Sequence, residues 1–482
     1  MYTYNDFQKI DTTDLEKLSD FVYSAIQRHK STDLYKNAEI AEEYDKHQNR
    51  TINQFQKLLY TVSGKAIPDI WSANYKMASK FFNRFIVQEN QYLLGNGISW
   101  KNEETAKKLG EDFDIKLQDG GHKALVEGVS FGFFNLDHLE VFSVREFVPL
   151  YDEENGALSA GIRFWQVDDN KPLRATVYEM DGYTDLIWKN DDEGGKNKSI
   201  GSGKESKAEI LNEKRAYILK LRTSEIDGTV IYDGENYPTF PIVPLWGNPH
   251  HQSELIGLQE QIDCYDLIKS GFANTVDDAS IIYWTIQNAD GMDDVDLAKF
   301  VERLKTVHAA NVDEGQIASN SLDVPYASRE ALLERLRADL YDDAMALDIK
   351  NIVSGGNTAT QIRAAYEPLN NKTDQYEYCV VKFIQGILAV AGIEDEPTFT
   401  RSKIINMQEE IQVILSAAQY LDSEYVTRKI LSLLGDADQA DEVLKRMEAD
   451  ELERQQLMDN YYRKEEEAGF TDSGSDVNGG ER

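Results

Sequence analysis

Residues 240–274 read FPIVPLWGNPHHQSELIGLQEQIDCYDLIKSGFAN. Pro241 and Pro244 bound a short apolar strand, and Pro249 with His250 and His251 marks a loop. From Ser253 onward Leu255, Leu258, Ile262, Tyr265 and Ile268 recur at steps of three and four residues, the spacing that lines one face of an α-helix. The spacing predicts a helix over 253–278. Its remaining surface is acidic: Glu254, Glu260, Asp263, Asp266, Asp277 and Asp278 stand against Lys269, six minus one, a net charge of −5.

Upstream of these prolines the pattern is first helical and then extended. Residues 13–60 carry Leu15, Leu18, Phe21, Val22 and Ile26 at helical spacing, and a second helix is expected over 70–94, ending at Gly95-Asn96-Gly97. Between 128 and 240, LDHLEVFSV, GIRFWQV, LRATVYEM and AYILKLR alternate apolar and polar residues. Turns are expected at Glu154-Asn155-Gly156, Asp181-Gly182 and Asp233-Gly234, so the region reads as a largely antiparallel sheet. The polar run at 191–209 reads as an exposed loop.

Downstream, Ile281, Ile282, Tyr283 and Trp284 open an insert over 281–325. A helix then runs through Leu333, Leu336, Leu340, Ala344 and Leu347, started by Ser328. The run Ile352-Val353-Ser354-Gly355-Gly356-Asn357 breaks it, and a helix restarts near 358. Residues 372–466 read as helical and 467–482 as a polar tail. The fold class is therefore α+β, mostly helical.

The chain has 482 residues, 41% of them hydrophobic and 10% aromatic, which is enough apolar material to bury a sizeable core. Its 85 acidic and 51 basic residues give a net charge of −34, which argues against wrapping nucleic acid by neutralising phosphates. Cys264 and Cys379 lie far apart among apolar neighbours and read as free buried thiols. Neither an export signal nor a membrane span is expected. The histidines fall at no metal-ligand spacing, and two lone cysteines cannot form a CxxC half-site, so no metal is expected. The nearest phosphate-loop candidate, Gly203-Lys204, has Lys198 where the first glycine belongs and Glu205 in place of the hydroxyl residue. With neither a GxSxG elbow nor a GxGxxG fingerprint, no cofactor and no catalytic residue is expected.

YLLGNGISW at 92–100, GVSFGFFNLDHLEVFSVREFVPLYDEENGALSAGIRFW at 128–165 and the 240–274 stretch, followed by REALLERLRADLYDDAMALD and GGNTATQIRAAY, resemble the portal proteins of tailed bacteriophages, the SPP1-like family. The resemblance covers about 60–450 and lies in the order of elements. One departure is that Asn357-Thr358-Ala359-Thr360 lacks the Ser-Gly pair that members often show there. The resemblance implies a homo-oligomeric ring of about twelve subunits around a channel through which double-stranded DNA is packaged and ejected. Implied partners are the terminase large subunit, head-completion, adaptor and tail proteins, and the major capsid and scaffold proteins. The implied place is the virion's portal vertex, after assembly in the host cytoplasm.

On this mapping the wing takes 1–250, the first stem helix 251–280, the clip 281–325 and the second stem helix 326–348. The tunnel loop and tunnel helix take 349–371, and the wing return and crown take 372–466. Lys350, Ser354, Gly355, Gly356, Asn357 and Arg363 would belong to the tunnel-loop region, with Lys350 and Arg363 as phosphate contacts. Glu260, Asp263 and Asp266 would form an acidic channel wall that DNA slides past, and Ile281, Ile282, Tyr283 and Trp284 an interface on the clip. Two other classes fit the residues: another ring-forming head or neck component, and a metal-dependent nuclease with dispersed carboxylates.

Overall fold

The computed structural model describes residues 1–60, 64–70, 72–168, 171–188, 208–223, 230–279, 283–286, 299, 317–320, 326–350, 359–402, 407–435 and 439–469. The chain divides into two compact units, Met1–Gly355 with Ala364–Ser402 and Gly356–Arg363 with Lys403–Arg482. The fold is α+β, and every strand pairing among the described residues is antiparallel.

In the first unit the chain begins with helices α1 (Tyr4–Gln8), α2 (Leu15–Lys30), α3 (Asp33–Asp45) and α4 (Arg50–Gln54). Asp14 and Thr32 cap α2 and α3 by accepting backbone N–H groups of their first turns. Strands β1 (Leu58–Tyr60) and β2 (Ala66–Pro68) form a hairpin where helix was expected up to 60. Helix α5 spans Phe81–Leu94, so the helix expected from 70 begins eleven residues later. The reason is tertiary: the N–H groups of Tyr75, Met77 and Ser79 are bonded to side chains elsewhere and are lost to a helix. Strand β3 (Ile98–Trp100) and helices α6 (Glu103–Leu109) and α7 (Phe113–Glu127) follow.

The sheet region holds β4 (Val129–Asn135), β5 (His138–Ser143), β6 (Phe147–Tyr151), β7 (Leu158–Trp165), β8 (Leu173–Glu179), β9 (Gly182–Trp188), β10 (Ala208–Arg215), β11 (Ile218–Thr223), β12 (Val230–Glu235) and β13 (Ile242–Trp246). Strands β10-β9-β8-β7-β6 form one sheet and β13-β4-β5 another. Pro244 sits on β13, an edge strand, where a missing N–H costs no ladder bond. The turns expected at Glu154–Gly156 and Asp181-Gly182 are present, but Asp233-Gly234 lies inside β12, opposite Lys220 and Leu219. Pairing with β11 overrides the local turn chemistry there.

Helix α8 spans Gln259–Ala279, six residues later than the spacing predicted, because 253–258 turns through Gly257 at a left-handed φ of +92°. Strand β14 (Tyr283–Ile286) pairs antiparallel with β15 (Ile317–Asn320). Helix α9 runs Tyr326–Asp343, starting two residues before Ser328 and ending before Ala344 and Leu347, which pack as a turn against the core. Helix α10 covers Ala359–Ala391, and strand β16 (Pro397–Phe399) pairs with β3, interrupting the stretch expected to be all helix. The second unit contains α11 (Met407–Ala417), α12 (Ser423–Leu434) and α13 (Ala440–Gly469). Cys264 is exposed and Cys379 half-buried, so neither is the buried thiol that its apolar neighbours suggested.

The main core gathers Phe81, Phe82, Phe85 and Ile86 of α5, Leu117 and Leu125 of α7, Ile262 of α8, Leu340 of α9 and Tyr376, Phe383, Ile384 and Ile387 of α10. Two glycines permit the closest approaches. A Cβ on Gly121 would overlap the Tyr376 hydroxyl, and one on Gly132 would overlap the Phe383 ring. A second core packs Phe7, Leu18, Val22 and Ile26 against Val148, Ile162, Val177 and Leu186 of the five-stranded sheet. Buried His29 ties α2 to the turn between β5 and β6, its Nε2–H donating to the Val144 carbonyl at 2.7 Å.

Glu127 ends α7 inside this structure and accepts from the Ser143 hydroxyl (2.7 Å) and the Val144 N–H (2.9 Å). Burial pushes its carboxyl up to about 7. A raised carboxyl favours folding while protonated, so its contribution is complete below the unfolded value near 4.5 and is lost as pH rises through 7. Glu127→Gln should remove about 2 kcal/mol of the stability change between pH 4.5 and 7, read as a flatter pH dependence of the urea midpoint than in the wild type.

Candidate functional site

Helix α8 is held by a ladder of side chains. Asp266 Oδ1 accepts the Ser79 N–H at 2.9 Å, Ser270 Oγ the Met77 N–H at 2.9 Å and Asn274 Oδ1 the Tyr75 N–H at 2.7 Å. Residues four apart on a helix rise about 6 Å, and alternate residues of an extended chain advance about 6.6 Å. Three acceptors on one helix stripe therefore match three donors on one edge of residues 75–79. The stripe continues to Asp263, which accepts from the Tyr44 and Thr51 hydroxyls, the latter at 2.7 Å. Asp266 also accepts from the Asn49 amide.

These contacts correct one expectation. Asp266 has no exposed surface, so it cannot stand on a channel wall; burial raises its carboxyl, and the Asn49 and Ser79 donors hold it back. Asp263 is half-buried and turned to Tyr44 and Thr51, whereas Glu260 is exposed. In sequence a polar stripe facing solvent and one facing a docked backbone look alike.

The partner face of α8 meets α9. Phe272 packs edge-on to Tyr326, with ring centroids 5.9 Å apart, under the Arg329 guanidinium, which donates to Thr275 Oγ1 at 2.8 Å. Tyr341 packs edge-on against Phe85 at 5.2 Å and accepts from Arg84 at 2.8 Å. Val276, Tyr326 and Leu332 remain exposed on this helix pair.

The chain leaving α9 is anchored before residue 351. Gln88 embraces Leu347 through its single side-chain amide, Nε2–H donating to the Leu347 carbonyl at 3.1 Å and Oε1 accepting the Leu347 N–H at 2.9 Å. Asp348 accepts from Arg337 at 2.7 Å and from the Lys350 N–H at 3.1 Å. Behind it, the Lys372 ammonium of α10 lies 2.8 Å from Glu89 of α5 and 2.9 Å from Glu254, and donates to the Ala344 carbonyl at 3.3 Å. Burial drives the Glu89 carboxyl up to about 7 against the pull of Lys372, and the two carboxylates hold the ammonium above its usual range. A cavity of about 270 Å³ opens beside this group, lined by Asn248, His250, Ser253, Met345 and Gln375.

Lys350 is exposed in the first unit, and Arg363 is exposed in the second. Ser354, Gly355, Gly356, Asn357, Ile281 and Ile282 lie outside the described residues, as do most of 191–209 and of the 281–325 insert. Tyr283 and Trp284 sit on β14, opposite Asn320 and Ser319. His251 is exposed in its loop and stacks its ring on Trp246 at 3.7 Å. Gln88, Asp348 and Lys372 were not legible as a set, since their partners lie far away in sequence.

A family model described as Phage portal protein, SPP1 Gp6-like matches residues 23–457, through the helix pair and both of its flanks. The chain belongs to this portal family. It is 22% identical over 409 residues to the portal protein of Bacillus phage SPP1, covering 76% of this chain and 74% of the relative. To the portal protein of Clostridium phage phiCD119 it is 23% identical over 230 residues, 45% of this chain, and the match spans about half of that relative, 51%. Among solved structures it is similar to a chain of the virion of a native gene transfer agent particle, at a TM-score of 0.41 and 12% identity, covering 73% of this chain and 89% of the other. A chain from the neck of the empty particle gives 0.40 and 12%, with 74% and 90% covered. Portal proteins of this family are structural, non-enzymatic virion components. Among the described residues, no group of three or more acidic, His or Cys side chains is placed to hold a metal ion.

Asp266→Ala should cost about 2–3 kcal/mol, because the Ser79 N–H would be buried without an acceptor and the Asn49 amide would keep only the Ser79 carbonyl, measured by urea unfolding at pH 7. Lys372→Met should cost about 3–5 kcal/mol by leaving two carboxylates without their counter-charge. The double variant Lys372→Met, Glu89→Gln should recover part of that loss in the same assay.

Proposed function

We propose that this portal protein assembles as a ring at one capsid vertex and forms the channel for packaging and ejecting double-stranded DNA. The observation that carries the reading is the family match over 23–457, within which α8 and α9 flank an insert in the order that the resemblance expects of a stem and clip. In this reading 1–250 is the wing, α8 and α9 are the stem and 281–325 is the clip. Residues 349–371 hold the tunnel loop and its helix, and 372–466 the wing return and crown.

The mechanism is geometric. The ring seats the terminase large subunit, which supplies ATP hydrolysis, passes DNA, and then holds head-completion and tail proteins. Capsid and scaffold proteins surround it during assembly. Glu260 remains as an exposed acid of the stem, and a negative wall keeps a moving duplex from adhering. Gln88 and Arg337 hold Leu347 and Asp348 where the chain leaves the second stem helix. Lys350 and Arg363 are the transient phosphate contacts of this reading.

Native mass spectrometry with end-on negative-stain views should give closed rings of about a dozen subunits; a chain that stays monomeric at high concentration, alone and with scaffold, would count against the reading. Lys350→Glu with Arg363→Glu should lower packaged DNA about ten-fold while the ring mass stays unchanged. Normal packaging by that variant would remove both residues from the channel.

A further inference from the structure

The hairpin β1–β2 pairs Leu58 with Pro68, Leu59 with Ile67 and Tyr60 with Ala66. Successive strand residues point to opposite faces, and here both faces are open: Leu58 is 46%, Leu59 39% and Tyr60 73% exposed. Phe55, Ile70 and Tyr75 beside it are exposed as well. A two-stranded hairpin is marginal in water by itself, and a contiguous exposed apolar surface with open strand edges marks a docking element.

Two further observations bear on what would cover it. Residues 55–80 contain Lys57, Lys65, Lys76 and Lys80 against Asp69, a net charge of +3 within a chain of −34. Such an arm is complementary to the surface of this same protein, and it relieves the repulsion that equally acidic copies meet on approach. Its base is also built into the stem. The Asp69 N–H donates to the Lys57 carbonyl at 2.8 Å, Asp69 accepts the Ser72 N–H at 3.1 Å, and the chain then enters the ladder of Tyr75, Met77 and Ser79 on α8. The hairpin is thereby fixed to the helix that the ring reading packs between neighbours.

We infer that β1–β2 is an inter-subunit arm that docks on the adjacent copy of this chain, its apolar faces covered by the neighbour and the net positive charge of its segment set against the neighbour's acidic surface. This rests on the ring reading. The test uses the full-length chain with the photo-crosslinking amino acid p-benzoylphenylalanine in place of Tyr60, beside the triple variant Leu58→Ser, Tyr60→Ser, Ile70→Ser. Irradiated rings should yield covalent dimers and larger multiples. The triple variant should keep the wild-type circular dichroism and unfolding midpoint while its rings dissociate at a concentration about ten-fold higher. Intact wild-type rings that give no copy-to-copy cross-link at position 60, or cross-link only to DNA or to another capsid protein, overturn the arm alone, as does a triple variant that assembles like the wild type. A wild-type chain that forms no rings overturns the ring reading and the arm with it.

Discussion

The ammonium of Lys372, held between Glu89 and Glu254, is the contact on which the arrangement of the first unit depends. It joins α10 to α5, to the turn leading into α8 and, through the Ala344 carbonyl, to the end of α9. Removing three charged groups from water is costly, and their mutual attraction offsets that cost only in good geometry. Such a group contributes little net stability but fixes one arrangement, because any shift of the four segments would leave a buried charge unpaired. The rest of the core is apolar and tolerates alternatives more readily.

The ladder on α8 acts in the same sense through neutral and charged acceptors. A stretch of backbone that would otherwise continue α5 backward is held extended because Asp266, Ser270 and Asn274 occupy its N–H groups. That choice sets where α5 begins and places the β1–β2 hairpin at the foot of the same helix. Local helix propensity over 70–80 is worth tenths of a kcal/mol per residue, whereas three hydrogen bonds lost together, that of Ser79 buried and the other two partly so, would cost more.

Much of the architecture was legible in residue patterns. The three-residue spacing of Ile262, Tyr265 and Ile268 marks α8, and the alternation in GIRFWQV and LRATVYEM marks β7 and β8. The order of strand, loop, helix, insert and helix resembled the portal family, and the family match bears that out. Periodicity fails where a segment's partners are remote: Asp233-Gly234 has turn chemistry yet sits in β12, and Leu58–Tyr60 has helical neighbours yet pairs with Ala66–Pro68.

The sequence by itself determined which residues are apolar, at what period, and in what order helices and strands succeed one another, since these follow from short-range sterics and from the geometry of one element. Only the tertiary structure decided which polar residues meet solvent and which meet protein. Asp266 and Glu260 are both acids on one helix, but the first is bonded within the protein to Ser79 and Asn49 and the second is exposed. The difference lies in donors brought by chain some two hundred residues away. A hydrogen bond is satisfied by geometry in space, and local spacing does not record it.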